Sequence, residues 1–169
     1  RRVRTHSRPC KFSELRDHII LIGAFTFLKE LCSRIQIESP DTMILLVLGS
    51  ELAKHEISSL QNPFGNVHVL YGDSGDPSTL ARARISFAKQ VTIVLDESNI
   101  ENLAQADSVG VACFEVVQKV CKKVQVLLEV QDSENLFVDQ KLLDSGDKTI
   151  EKTYNFYPCF ASGQVHETA

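Results

Sequence analysis

Apolar residues in this chain come in short unbroken runs, and between the runs they recur every three or four positions. Ile19, Ile20, Leu21 and Ile22 follow His18 and end in Gly23. A continuous, largely β-branched run closed by glycine predicts a strand buried on both faces. Phe25, Leu28, Leu31, Cys32 and Ile35 then fall at helical spacing, which predicts a helix over 25–35. Pro40 and Asp41 turn the chain into a second buried run at 43–48. A short helix is predicted over 51–60, and the cluster at 61–66 reads as a turn.

The alternation continues. Residues 67–70 read as a third strand, and Asp76 and Pro77 supply an N-cap and a first-turn proline for a helix running to about Arg84. Residues 90–95 read as a fourth strand. A long helix over 99–120 carries Leu103, Ala106, Val109, Gly110, Cys113 and Val117 on one side. Residues 124–130 read as a fifth strand, Ser133 caps a helix of about 134–143, and beyond 145–147 the pattern loosens. Five short apolar strands alternating with helices predict an α/β domain of the doubly wound, Rossmann-like kind, its mainly parallel sheet covered by helices on both faces.

The organisation expected is a basic linker over 1–13, the Rossmann-like unit over 14–145, and a loop with the truncated start of a following subdomain over 146–169. The linker carries Arg1, Arg2, Arg4, Arg8 and Lys11 without apolar periodicity. The chain opens on Arg1 rather than Met and closes on a stretch that reads as the approach to another element, so a piece of a longer protein is expected.

Composition narrows the function. The 169 residues include 18 basic and 22 acidic side chains, a formal charge of −4, which argues against a nucleic-acid binder driven by phosphate neutralisation. The apolar run at 43–48 falls far short of the roughly 20 residues that a membrane helix needs. Cys10, Cys32, Cys113, Cys121 and Cys159 are odd in number, form no CxxC pair and fit buried thiols in a reducing compartment. Cys113 and Cys121 share one predicted helix, eight residues apart, too far to bond. The five histidines do not cluster with the cysteines as a zinc site requires.

A Rossmann-like unit invites a test for dinucleotide binding. In GxGxxG the first glycine makes the turn, the second admits the pyrophosphate and the third admits the helix. Counting from Gly23, the second position is Phe25, a steric obstacle where the phosphate should approach, and the third is Leu28, which pushes the helix outward, so the turn is degenerate. The carboxylate that would hold a ribose at the end of the second strand is replaced by Gly49 and Ser50, with Glu51 arriving late. NAD binding is therefore not expected. GxSxG, HExxH and P-loop motifs are missing too, so nucleophilic catalysis lacks support.

Acid gathers instead at the carboxyl ends of the strands, where ligands of open α/β sheets sit. Asp73 and Asp76 follow the third strand, and Asp96 and Glu97 follow the fourth. These four are the candidate site for Ca²⁺ or another cation, since hard cations take carboxylate oxygens. The competing reading, which the residues favour, is helix capping, because no DxDxDG spacing is present.

The ordered motifs resemble a known family. The third strand leads into Gly72-Asp73-Ser74-Gly75-Asp76-Pro77-Ser78-Thr79-Leu80, then Ala83-Arg84-Ile85 and the strand Val91-Thr92-Ile93-Val94-Leu95. This is similar to the RCK (TrkA-N type) domains that regulate potassium conductance. Glu14-Leu15-Arg16-Asp17-His18-Ile19, Phe27-Leu28-Lys29 and Pro158-Cys159-Phe160-Ala161-Ser162-Gly163 resemble the Slo branch of ligand-gated potassium channels, within it the second RCK domain. The resemblance covers most of 14–165. It departs at 143–152, where three acids and two lysines stand in place of the aspartate run of the calcium bowl.

The resemblance implies a non-enzymatic gating-ring domain on the cytoplasmic face of a membrane protein. Its partners would be other RCK domains in a homo-oligomeric ring and the pore domain of the same protein. Phe87, Val116, Phe137 and Val138 are then either partner-facing or core. The alternatives left open are a nucleotide-sensing domain of a potassium transporter and an NAD-dependent oxidoreductase.

Overall fold

A computed structural model describes residues 12–61, 66–94 and 103–129. Five strands, β1 (Ile19–Ile22), β2 (Ile44–Leu48), β3 (Val67–Tyr71), β4 (Gln90–Ile93) and β5 (Gln125–Leu128), form one sheet of order β3-β2-β1-β4-β5. Every pairing is parallel, with Ile20 beside Leu45 on one side and Val91 on the other. The helices are α1 (Phe25–Glu38), α2 (Lys54–Gln61), α3 (Pro77–Arg82) and α4 (Leu103–Val120). The α/β doubly wound expectation is borne out.

The faces follow from the two-residue period of the strands. Leu21, Ile44, Leu46 and Val67 point to one side, where Leu28 and Cys32 of α1 and Leu60 of α2 pack on them. Ile20, Leu45, Val47 and Val91 point to the other, against Leu80 of α3 and Cys113, Phe114 and Val117 of α4. β2 is buried at all five positions because it is central and covered twice.

Several boundaries move for identifiable reasons. The helix expected over 51–60 begins at Lys54, because the Ala53 N–H donates to the Glu56 carboxylate at 2.9 Å and closes the first turn there. The helix expected to reach Arg84 stops at Arg82, since Arg84 adopts φ 55°, left-handed backbone that no helix continues through. α4 ends at Val120, so Cys121 lies past it and the two cysteines do not share a helix. α1 runs on to Glu38 beyond the predicted 25–35. The lead at 1–11 and the helix expected at 134–143 lie outside the described residues.

The amino-terminal edge of the sheet is sealed by its own chain. Residues 12–18 run across it, with Leu15 and His18 fully buried. His18 Nε2–H donates to the Ala83 carbonyl at 2.9 Å, Arg84 Nε–H donates to the Leu15 carbonyl at 3.1 Å, and the Asp17 N–H donates to the Phe87 carbonyl at 2.9 Å. Burial pushes the His18 imidazole below its ordinary pKa, against the Ala83 bond that favours the charged form. His68, on the same sheet face by register, is lowered by burial as well. Among the described residues no helix is long and apolar enough to cross a membrane.

Candidate functional site

The opposite edge opens into a crevice of about 420 Å³. Its floor is the carboxyl ends of the strands, with Ile22 and Gly23 after β1, Val47 and Gly49 of β2 and its turn, and Ile93 and Val94 of β4. One wall is the turn after β3, with Gly72, Asp73 and Ser74, and the other is the face of α4 that carries Ala106, Val109, Gly110 and Cys113. This is where a doubly wound sheet places its ligand, at the point where strand order reverses between β1 and β4.

Gly23 earns its place twice. Its φ of 145° is open to glycine alone, and a Cβ there would collide with the Val94 carbonyl oxygen and stand 3.1 Å from Val94 Cβ. The Val94 N–H donates to the Ile22 carbonyl at 2.8 Å, which draws the end of β4 against the turn. Phe25 does not line the crevice. It packs, half-buried, against the core under α1, and Leu28 is fully buried in that core instead of pushing the helix outward. The close contact at this turn is thus with the Val94 backbone and not with the Phe25 ring.

Beyond β3, Gly72 lets α3 come down. A Cβ on Gly72 would lie 2.7 Å from Thr79 Oγ1, and Thr79 is buried in the first turn of α3. The two acids placed at this edge by sequence hold local bonds. Asp73 Oδ1 accepts from the Gly75 N–H at 2.8 Å, and Asp76 accepts from the Ser78 N–H at 2.9 Å and from the Ser78 hydroxyl at 2.6 Å. Those two bonds, the hydroxyl first, hold the Asp76 carboxyl below the usual carboxylate range. Asp76 is the N-cap of α3, with Pro77 following. Asp96 and Glu97 lie outside the described residues. Among those described, no three His, Cys, Asp or Glu side chains gather as ligands for a metal.

Cys113 reaches the site from α4, its thiol directed at the Ser74 carbonyl at 3.8 Å. Burial pushes this thiol up, and the nearby Asp73 carboxylate adds to the rise, so it stays protonated at neutral pH. Val109 is 59 % exposed at the crevice mouth. Sequence reasoning read Ala106, Val109, Gly110 and Cys113 as packing positions; the signal it passed over was two small residues, Ala106 and Gly110, facing a strand terminus. Of the residues weighed as partner-facing, Phe87 is 45 % exposed and Val116 packs against the core, while Phe137 and Val138 lie outside the described residues.

The family described as the calcium-activated potassium channel slowpoke-like RCK domain matches residues 14–128. The putative potassium channel protein YugO of Bacillus subtilis is 34 % identical over 95 residues, which cover 56 % of this chain and 26 % of that protein. The human SLO3 gating ring superposes with TM-score 0.61 at 9 % identity, covering 82 % of this chain and 24 % of that one. The GsuK channel bound to NAD superposes with TM-score 0.53 at 19 % identity, covering 84 % and 22 %. The chain therefore spans about a quarter of the length of these relatives.

Proposed function

Because the chain belongs to the calcium-activated potassium channel slowpoke-like RCK domain family, we propose that it is the regulatory domain of a potassium channel, working as one member of a ring of such domains beneath a pore of the same protein. The observation that carries this reading is the family match over 14–128, which takes in the whole sheet and the crevice. A role in regulation rather than catalysis is supported by how the crevice groups are held. The Cys113 thiol is protonated and directed at a carbonyl, and Asp73 and Asp76 bind backbone and hydroxyl donors of their own loop.

The mechanism is a population shift. A ligand that seats between the β3 turn and α4 favours the ring arrangement in which that crevice is better formed, and it moves the pore only by its difference in affinity between arrangements. Carrying a ring from about 1 % to about 99 % open takes roughly a 10⁴-fold preference in total, or about tenfold from each of four subunits. The domain would lie on the cytoplasmic face, with the other RCK domains of the ring as its nearest partners.

The test is recording from the full-length protein in excised inside-out patches. A potassium-selective current whose open probability responds to solutes perfused on the cytoplasmic side is the expected result. A full-length protein that carries no potassium current, or one whose current is unchanged by removing residues 14–128, would overturn the proposal.

A further inference from the structure

The amino-terminal edge of the sheet is basic where β4 and β5 begin, although the whole chain carries a formal charge of −4. Lys89 immediately precedes β4, and Lys122 and Lys123 lie in the turn between α4 and β5. The parallel register sets Gln90 beside Gln125, so the three lysines enter neighbouring strands side by side. Arg84 and Arg16 join them through Phe87, whose ring centre lies 4.1 Å and 5.1 Å from their guanidiniums. The three lysines and Arg16 are exposed, and Arg84 is half-buried. Among the described residues the ion pair is Arg34 with Glu30, so none of these five cations is paired. The acids of this edge are Glu14 and Asp17 in the lead and, on the far side of β1, Glu38 and Asp41 before β2.

The arginines are held in a way that suits phosphate. Arg84 donates its Nε–H to the Leu15 carbonyl at 3.1 Å and stacks on Phe87, so its terminal amino groups remain available among the described residues. A guanidinium fixed in this manner loses little freedom when its fork takes a phosphate, and the lysines add point charges beside it. Phe87 is 45 % exposed and Phe12 is exposed at the same edge, and rings set among cations suit the headgroup layer of a bilayer. Residues 1–11, which lead into Phe12, carry four arginines and a lysine and no acid. A polybasic segment continuous with a basic face is a pattern that recognises anionic lipid.

We infer that the amino-terminal edge docks on the anionic lipid surface of a membrane through Arg16, Arg84, Lys89, Lys122 and Lys123, with Phe87 among the headgroups. The inference goes beyond the proposed function, and its orientation rests on that reading: a domain beneath a pore turns its closed edge to the bilayer and its crevice away from it. The acidic balance of the rest of the chain opposes approach in other orientations. Because the cations are exposed, salt screens the attraction.

Sedimentation of the 169-residue chain with lipid vesicles tests it. The chain is expected to bind phosphatidylcholine vesicles that contain about 30 % phosphatidylserine and not those of phosphatidylcholine alone. Bound chain is expected to come off as salt rises from about 0.1 M to about 0.5 M. Lys122→Glu with Lys123→Glu is expected to weaken binding by about tenfold or more, and Lys122→Gln with Lys123→Gln by less. Lys29→Glu with Lys54→Glu, which makes the same change of net charge on exposed positions of α1 and α2, is expected to bind like the parent. Melting temperatures check that each variant keeps its fold. An equal loss in the two glutamate pairs assigns binding to net charge and overturns the docking face. So does binding indifferent to Lys122 and Lys123, or no binding to anionic vesicles. Binding to poly-glutamate in place of vesicles overturns the lipid and makes the edge a dock for an acidic protein segment. The vesicles contain no pore, so each of these failures leaves the potassium-channel reading to be decided by its own recordings.

Discussion

The two edges of the sheet are built in opposite ways. At the amino-terminal edge the hydrogen bonds join segments far apart in sequence: His18 to Ala83, Arg84 to Leu15, Asp17 to Phe87 and Lys89 to His18. The guanidiniums of Arg84 and Arg16 stand over the Phe87 ring, at 4.1 Å and 5.1 Å, and shelter that end further. At the carboxyl edge the side-chain bonds of the acids reach only two residues along, Asp73 to Gly75 and Asp76 to Ser78. Long-range bonds tie the fold together, whereas local ones shape a loop and leave the space between loops free. One edge holds the domain shut and the other leaves a crevice open.

Gly23 is where this contrast is most easily broken, because the turn there is packed as tightly as the closed edge. Gly23→Ala forces a side chain into backbone that favours glycine and into the Val94 carbonyl. Strain and overlap together are expected to destabilise by about 4 kcal/mol. A urea unfolding curve measures this through a lower midpoint at unchanged slope. A variant within about 0.5 kcal/mol of the parent would show that β4 retreats freely from the turn, and that the edge is looser than described.

At the closed edge, Leu15 is the matching test. It is 1 % exposed, sits in the core shared by β1, α3 and β4, and anchors the lead whose carbonyl Arg84 holds. Leu15→Ala is expected to cost about 3 kcal/mol in the same assay. A loss below about 0.5 kcal/mol would show that the lead does not seal that edge.

The closed edge also carries the pH dependence. His18 is buried, with Nδ1 unpartnered, and His68 Nε2 is unpartnered on the same sheet face. Asp17 and Arg84 also face His18, the first favouring and the second opposing its charged form. Because burial lowers both imidazoles from 6.5, the unfolded chain binds more protons than the folded one below that value. Their contribution is complete above pH 6.5 and is lost as pH falls through the folded values. The melting temperature is expected to drop between pH 7 and pH 5, and His18→Gln, which keeps a donor for Ala83, is expected to flatten that drop. An unchanged slope in the variant would place the titration elsewhere.

The same contrast explains what could be read from residue order. Strands β1 and β2 were legible because buried parallel strands need continuous apolar runs, and Ile19–Ile22 and Ile44–Leu48 supply them. The cap on α3 was legible because Asp76, Pro77 and Ser78 are neighbours. The seal at the amino edge was not, since it depends on Arg84 adopting left-handed backbone and on carbonyls some 65 to 70 residues away. The obstacle at the Gly23 turn was placed on Phe25 for the same reason: a backbone oxygen arriving from Val94 leaves no mark on residue type. The α4 wall of the crevice was read as core because a helix face that lines a cavity has the same period as one that fills it.

Asp76 gives the smallest effect and the sharpest view of the open edge. Its carboxylate is exposed and works only through Ser78, so Asp76→Ala is expected to lower the melting temperature less than any substitution above. The carboxyl is held below its ordinary 3.8 by those two bonds, so the stability it contributes is present above that value and lost as pH falls through the folded one. The deficit of Asp76→Ala is therefore expected at pH 7 and to close toward pH 3, while Asp76→Asn, which keeps an oxygen for the Ser78 N–H, recovers part of it. Millimolar Ca²⁺ is expected to leave the parent's melting temperature where it was, because a carboxylate already committed to a helix start gains little from a cation. A rise with Ca²⁺ that disappears in Asp76→Asn would instead make this edge a cation site, and the acids there would be ligands first and caps second.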